Sequence, residues 1–149
     1  MFSGLATETN GKMQEIMLVE DEALVLLDLS LTVEQLGYRI HSECISVDDG
    51  MSALALSTPD AALLDINVGG SLVWPLAREL TARGCPIIFI SANCNHDELR
   101  TEFRCAAAIE KPSSPVDIDR ALTAALGGAG YCETEGAATV GAGNDRQRV

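Results

Sequence analysis

Ile16-Met17-Leu18-Val19-Glu20-Asp21-Glu22-Ala23 (IMLVEDEA) runs an apolar stretch straight into three consecutive carboxylates, after which apolar residues resume. A short unbroken apolar run reads as a strand buried on both faces, and the apolar spacing from Ala23 onward reads as a helix. Two acids held side by side at the end of a buried strand repel each other. At ~4 Å and an effective dielectric near 20 the repulsion is about 4 kcal/mol. Something in the folded protein has to offset it.

Outward from this stretch the same unit repeats. Apolar runs at Glu15–Val19, Arg39–Ser42, Ala61–Leu64 and Ile87–Ile90, with a weak one at Ala106–Ile109, predict five strands. Each is followed by a helical pattern. Ala23–Leu36 stops at Gly37 and Val47–Ser57 stops before Pro59. Pro75–Arg83 opens on proline and ends at Gly84. His96–Arg104 places acids early and arginines late, which suits the helix dipole, and Ser114-Pro115-Val116-Asp117 caps the last helix. Strands alternating with helices predict an α/β doubly wound parallel sheet. Right-handed crossovers put every strand-to-helix loop at one rim, where such sheets bind ligands.

That rim collects a specific chemistry. Glu20 and Asp21 follow the first strand, Asp65 the third (ALLDINVGG), Ser91 the fourth (IIFISAN) and Lys111 the fifth (AIEKP). A hard divalent cation such as Mg²⁺ takes carboxylate oxygens and turns the repulsion among Glu20, Asp21 and Asp65 into coordination. Asp65 beside such an ion can act as a nucleophile toward phosphorus. The ammonium of Lys111 and the hydroxyl of Ser91 are donors for the oxygens of a transferring phosphoryl group.

Over roughly Met13 to Leu126 the chain resembles the receiver domains of two-component response regulators, and is similar to the chemotaxis response regulator. The residues that carry the likeness are the acidic pair, the aspartate in LLDINV, the hydroxyl after the fourth strand and Lys111-Pro112 after the fifth. The resemblance implies a flavodoxin-like (βα)5 sheet of strand order 2-1-3-4-5. It implies Asp65 as phosphoacceptor, fed by a histidine kinase or a histidine phosphotransferase. Glu20, Asp21, Asp65 and the backbone carbonyl of Asn67 would bind Mg²⁺. Ser91 and Lys111 would contact the phosphoryl group, with a cis bond between Lys111 and Pro112. The resemblance further implies a stand-alone module that is not a conventional enzyme, catalyses only its own phosphorylation and dephosphorylation, and signals by altered protein–protein contacts with a downstream protein the sequence does not name. A homodimer is left open.

Three positions depart from the family pattern. Ser91 stands where threonine is commoner, keeping the donor. Glu20 replaces aspartate. Ala108 stands where many receivers carry Tyr or Phe, so the usual coupling of hydroxyl to aromatic is absent.

Two other functions compete. A haloacid-dehalogenase-like phosphohydrolase also uses a strand-end Asp, Mg²⁺ and a lysine, but it needs a second Asp where Asn67 stands, and its nucleophile follows the first strand. A degenerate receiver that takes no phosphate is opposed by the intact acidic set. A dinucleotide or P-loop site fails because VEDEALV offers no glycine-rich cradle.

The 149 residues carry a formal net charge of −12, and 47% are hydrophobic against 21% charged. That balance suits one globular domain and disfavours nucleic acid or an anionic membrane as partner. Residues 1–12 read as a flexible leader without a secretory signal, 13–126 as the domain, and 127–149 as a flexible tail holding six of the thirteen glycines. Cys44, Cys85, Cys94, Cys105 and Cys132 show no Cys-x-x-Cys pair and read as reduced thiols of a cytoplasmic protein. His41 and His96 are isolated and receive no role. Trp74 reads as a packing residue. The first helix is apolar on two stripes, Leu24/Leu27/Leu31 and Val25/Leu29/Val33/Leu36, which predicts deep burial. The sharper alternative is that one stripe is exposed and docks a kinase or phosphotransferase helix.

Overall fold

The structure, a computed structural model, describes residues 8–9 and 12–127. A five-stranded parallel sheet forms its centre: β1 (Glu15–Val19), β2 (Arg39–Cys44), β3 (Ala61–Leu64), β4 (Ile87–Ser91) and β5 (Ala107–Glu110). The order across the sheet is β2-β1-β3-β4-β5, as the resemblance to receiver domains implied. The helices are α1 (Ala23–Gln35), α2 (Val47–Leu56), α3 (Trp74–Ala82), α4 (Asp97–Arg100) and α5 (Pro115–Leu126).

The strand sequences look unpatterned because both faces are covered. Ile16, Leu18, Leu63 and Ile88 point into a core shared with Leu29 and Val33 of α1 and Ile118 and Leu122 of α5. Their neighbours Met17, Val19, Leu64 and Phe89 point into the opposite core, against Leu54 of α2 and Leu76 and Leu80 of α3. Alternation is present, but every alternate position is apolar. The two edge strands are the exceptions: Arg39 and Glu43 of β2, and Ala107, Ala108 and Glu110 of β5, are exposed.

Helix starts follow the expected chemistry. Ser46 accepts the Asp49 N–H at 3.0 Å. Ser114 and Asp117 form a reciprocal capping box, at 3.1 and 3.3 Å. In the interior of α2, Gly50 would place an added Cβ 2.5 Å from Leu76 Cδ2 of α3. Alanine gains about 1 kcal/mol of helix propensity there, whereas overpacking costs about 1–3 kcal/mol. Gly50→Ala is therefore expected to destabilise by about 1 kcal/mol net, read from the denaturation midpoint. A raised midpoint would mean that Leu76 repacks freely.

Several sequence expectations are corrected. The helix expected over His96–Arg104 is a single turn, Asp97–Arg100. Beyond it Thr101 leaves helical geometry, and the Phe103 N–H reaches back to the Glu98 carbonyl at 2.8 Å, a wide turn. That turn carries Phe103 inward to stack on Trp74, with ring centroids 5.6 Å apart and planes at 18°. Burial of a ring outweighs one more turn of exposed helix. Trp74 is buried, as expected, and its Nε1 has no hydrogen-bond partner.

Deep burial of α1 is also overturned. Leu29, Val33 and Leu36 are buried, but Leu24, Leu27 and Leu31 are 81%, 54% and 50% exposed. A helix on an open sheet has one face to bury, so its second stripe is left to solvent. Two short antiparallel hairpins add to the expected elements. Glu8–Thr9 pairs with Lys12–Met13, and Asn67–Val68 pairs with Ser71–Leu72. The second turns through Gly69 and Gly70, at φ +61° and +84°, the left-handed pair that a two-residue hairpin loop demands. Cys44, Cys85 and Cys94 are free thiols, but Cys105 is disulfide-bonded, so five reduced thiols is wrong at that position. Sequence spacing says nothing of that bond. The flexible tail expected from residue 127 lies outside the described residues save Gly127 itself, and of the leader only residues 8–9 and 12 are described. Among the described residues no helix is long and apolar enough to cross a membrane.

Candidate functional site

Each strand end at the rim is fixed by one backbone bond that extends the sheet. The Glu20 N–H donates to the Cys44 carbonyl at 2.9 Å, the Asp65 N–H to Val19 at 3.0 Å, and the Lys111 N–H to Ser91 at 2.9 Å. The loops therefore begin rigidly, and the side chains just beyond them are aimed at one another.

Lys111 Nζ donates to Glu20 Oε1 at 2.7 Å and to Asp65 Oδ2 at 3.1 Å. One ammonium thus bridges residues of the first and third strand ends. It is the local answer to the opening repulsion. Glu20 is 1% exposed, and its other oxygen accepts the Glu22 N–H at 3.1 Å. Burial pushes the Glu20 carboxyl above its ordinary value, against the lowering effect of its bond to Lys111. Burial pulls on Lys111 in the opposite sense, but its bonds to Glu20 and Asp65 prevail and raise it, so it stays charged.

Asp21 is exposed, with Oδ2 accepting the Gly69 N–H at 2.9 Å, so the Asn67–Leu72 hairpin is tied back across the site. One oxygen each from Glu20, Asp21 and Asp65 lie within 4.8 Å of one another. Three hard oxygen donors at that spacing fit a divalent cation such as Mg²⁺, which is usually held by one or two carboxylates and keeps several waters. Asn67 lies two residues beyond Asp65, exposed, in the hairpin. Ser91 ends β4, buried, with Oγ accepting the Asn93 N–H at 3.4 Å. The Lys111–Pro112 peptide is cis.

The sequence had not singled out the hairpin or its anchor on Asp21. Two glycines between residues that can extend was the available signal. The histidines stay outside the site: His41 bonds Ser42 and Ser57, and His96 lies edge-on to Trp74.

No protein-family model matches the chain. Among curated proteins it is 26% identical over 116 residues to the transcriptional regulatory protein PdtaR of Mycobacterium tuberculosis, covering 76% of this chain and 57% of that one. The chain thus spans little more than half the length of that relative. Among solved structures, SdrG of Sphingomonas melonis Fr1 is 30% identical with TM-score 0.66, covering 76% of this chain and 96% of that one. The response regulator REC domain of Erythrobacter litoralis PhyR shares the fold at 23% identity and TM-score 0.67, covering 85% and 96%. So does the receiver domain of a Pseudomonas aeruginosa PAO1 sensor histidine kinase, with a magnesium ion in its active-site cleft, at 24% identity and TM-score 0.66, covering 76% and 98%. These likenesses join a β2-β1-β3-β4-β5 sheet whose rim gathers three carboxylates and a lysine. The chain belongs to the family of response regulator receiver domains.

Proposed function

We propose that this receiver accepts a phosphoryl group on Asp65 from the phosphohistidine of a histidine kinase or phosphotransferase, in the cytoplasm, and signals through changed contacts with another protein. The observation that carries the reading is Lys111 Nζ bridging Glu20 and Asp65 at 2.7 and 3.1 Å, with Asp21 completing the carboxylate trio. An Asp65 oxygen attacks phosphorus, and the phosphorus–nitrogen bond of the donor breaks. The bonding pair stays on the imidazole nitrogen, which takes up a proton. Lys111 holds one phosphoryl oxygen, and the Ser91 hydroxyl turns from the Asn93 N–H to hold another. Glu20, Asp21, Asp65 and the Asn67 carbonyl would hold Mg²⁺, whose charge, when bound, offsets that of the phosphoryl oxygens. The related structures are signalling regulators, so a phosphohydrolase finds no support among them.

Intact mass after incubation with acetyl phosphate and Mg²⁺ tests this. The expected result is one added phosphoryl group, absent when a chelator is present. Rapid acetyl phosphate turnover without adduct would restore the phosphohydrolase reading. Neither adduct nor turnover, with a cognate kinase equally silent, would make the chain a degenerate receiver.

The exposed Leu24/Leu27/Leu31 stripe of α1 begins beside the acidic rim, and we assign it to docking the phosphoryl donor. Leu27→Glu is expected to slow transfer from the protein donor at least tenfold while leaving labelling by acetyl phosphate unchanged. Leu27 is 54% exposed, so the denaturation midpoint is expected to hold, and it is measured alongside the two rates. Equal transfer rates would remove the stripe from the docking surface.

A further inference from the structure

Every carboxylate of the rim trio already gives oxygen to a donor. Glu20 gives one oxygen to the Lys111 ammonium and the other to the Glu22 N–H. Asp65 gives one to Lys111. Asp21, the exposed member, gives one to the Gly69 N–H at 2.9 Å. The hairpin that carries Gly69 is built to hold that bond. Its base is fixed in the core by Val68, 1% exposed, and its legs pair Asn67 with Leu72 and Val68 with Ser71. The Val73 N–H closes the loop on the Ile66 carbonyl at 2.8 Å. At the tip, a Cβ on Gly69 would meet no atom within 4 Å, so only the backbone φ of +61° keeps a side chain out.

We propose that the Gly69 N–H makes this hairpin the selectivity element of the rim: by holding one Asp21 oxygen it keeps Asp21 a single-oxygen ligand and favours Mg²⁺ over Ca²⁺. The inference rests on the cation site of the proposed function. Ca²⁺ takes about six to eight oxygens in flexible geometry and accepts a carboxylate through both of its oxygens, whereas Mg²⁺ demands near-octahedral geometry and keeps several waters. Chelation through both Asp21 oxygens has to share or give up the Gly69 bond. Ligation through one leaves it intact. Glu20 is held on both oxygens and cannot turn to supply what Asp21 withholds. Without the hairpin, Asp21 would rotate freely in solvent, and ordering it would weaken binding of the smaller, geometrically stricter ion most. Gly69 is thus a positioning residue that acts through Asp21.

Mn²⁺ binding to the full chain, with no phosphoryl donor present, tests this. Bound Mn²⁺ is read from the loss of the free ion's electron paramagnetic resonance signal and is then displaced with Mg²⁺ or with Ca²⁺. The unaltered protein is expected to release Mn²⁺ to Mg²⁺ at the lower concentration. Gly69→Val, which disfavours the left-handed turn, should narrow the ratio of the two displacement constants by about fivefold, the least that left-handed strain in an L-residue represents. Gly69→Asn, whose side chain tolerates that turn, should keep the ratio. Denaturation midpoints in chelator show that the variants fold, and Gly69→Ala replaces Gly69→Val if the latter does not. A general loosening of the site weakens both ions alike and leaves the ratio where it was. An unaltered protein with no preference for Mg²⁺, a folded Gly69→Val protein with the native ratio, or a Gly69→Asn protein as indiscriminate as Gly69→Val would each overturn the inference while the cation site stands. No Mn²⁺ bound at all would remove the cation site itself, and the inference with it.

Discussion

Asp65→Asn is expected to take up no phosphoryl group under conditions in which the unaltered protein is labelled. The amide is nearly isosteric but has no carboxylate oxygen to attack phosphorus, and no other carboxylate at the rim is equivalent. Glu20 is engaged on both oxygens, by Lys111 and by the Glu22 N–H, and Asp21 is tied to Gly69. Asp65 has one oxygen bonded to Lys111 and is otherwise held only by its backbone. The substitution should leave the fold intact, since it also removes one of three mutually repelling charges. The check is intact mass alongside a denaturation curve. A residual adduct on a folded Asp65→Asn protein, mapped to Glu20 or Asp21, would take the acceptor role from Asp65.

Lys111→Ala should be the most costly single change at the rim for stability. It leaves Glu20, 1% exposed, without its cation and beside two other carboxylates. Removing one partner of a buried pair costs about 3–5 kcal/mol. Because the Lys111 side chain is 21% exposed, water reaches the gap and the lower end, about 3 kcal/mol, applies. The pH dependence has a definite sign. Burial has already raised Glu20, so the native state holds its proton more tightly than the unfolded chain does. Stability from that proton is fully present below the ordinary value of 4.5 and is lost as pH rises through the raised one. Without Lys111 the raised value climbs further, so the deficit should be largest near neutrality and shrink on acidification. Urea midpoints of both proteins across that range, in chelator, decide it. Mg²⁺ should recover part of the loss. A deficit that is flat with pH would mean that packing of the lysine stem, and not charge, is what the variant lost.

How much of this was legible in sequence varies by element. The strand ends were, because a carboxylate, a hydroxyl and an ammonium each closing an apolar run is a chemical pattern that needs no contact map. The central strands were, because unbroken apolar runs have no use on an exposed face. α4 was not: its acids and arginine obey helix rules, while the decision belonged to Phe103, whose ring finds Trp74 only in three dimensions. α1 misled for a related reason. Leucine at helical spacing records that a residue is apolar, not which side the sheet lies on. The Asn67–Leu72 hairpin was written in Gly69-Gly70 but hidden by its brevity, and the hydrogen bond that gives it a place at the rim joins residues 48 apart in the chain.

Trp74 carries the chain's sole indole. It packs against Phe89, two residues before Ser91 on β4, and against His96 and Phe103 on either side of α4. Emission excited selectively at the red edge of tryptophan absorption therefore originates from one ring, seated where the strand of the hydroxyl meets the segment that follows it. Its Nε1–H is buried with no protein partner among the described residues, so that ring lacks a protein hydrogen bond of the kind that shifts indole emission to longer wavelengths. The protein thus comes with an intrinsic optical gauge of the β4–α4 junction, on which admission of water to the ring is expected to register as a shift to longer wavelengths.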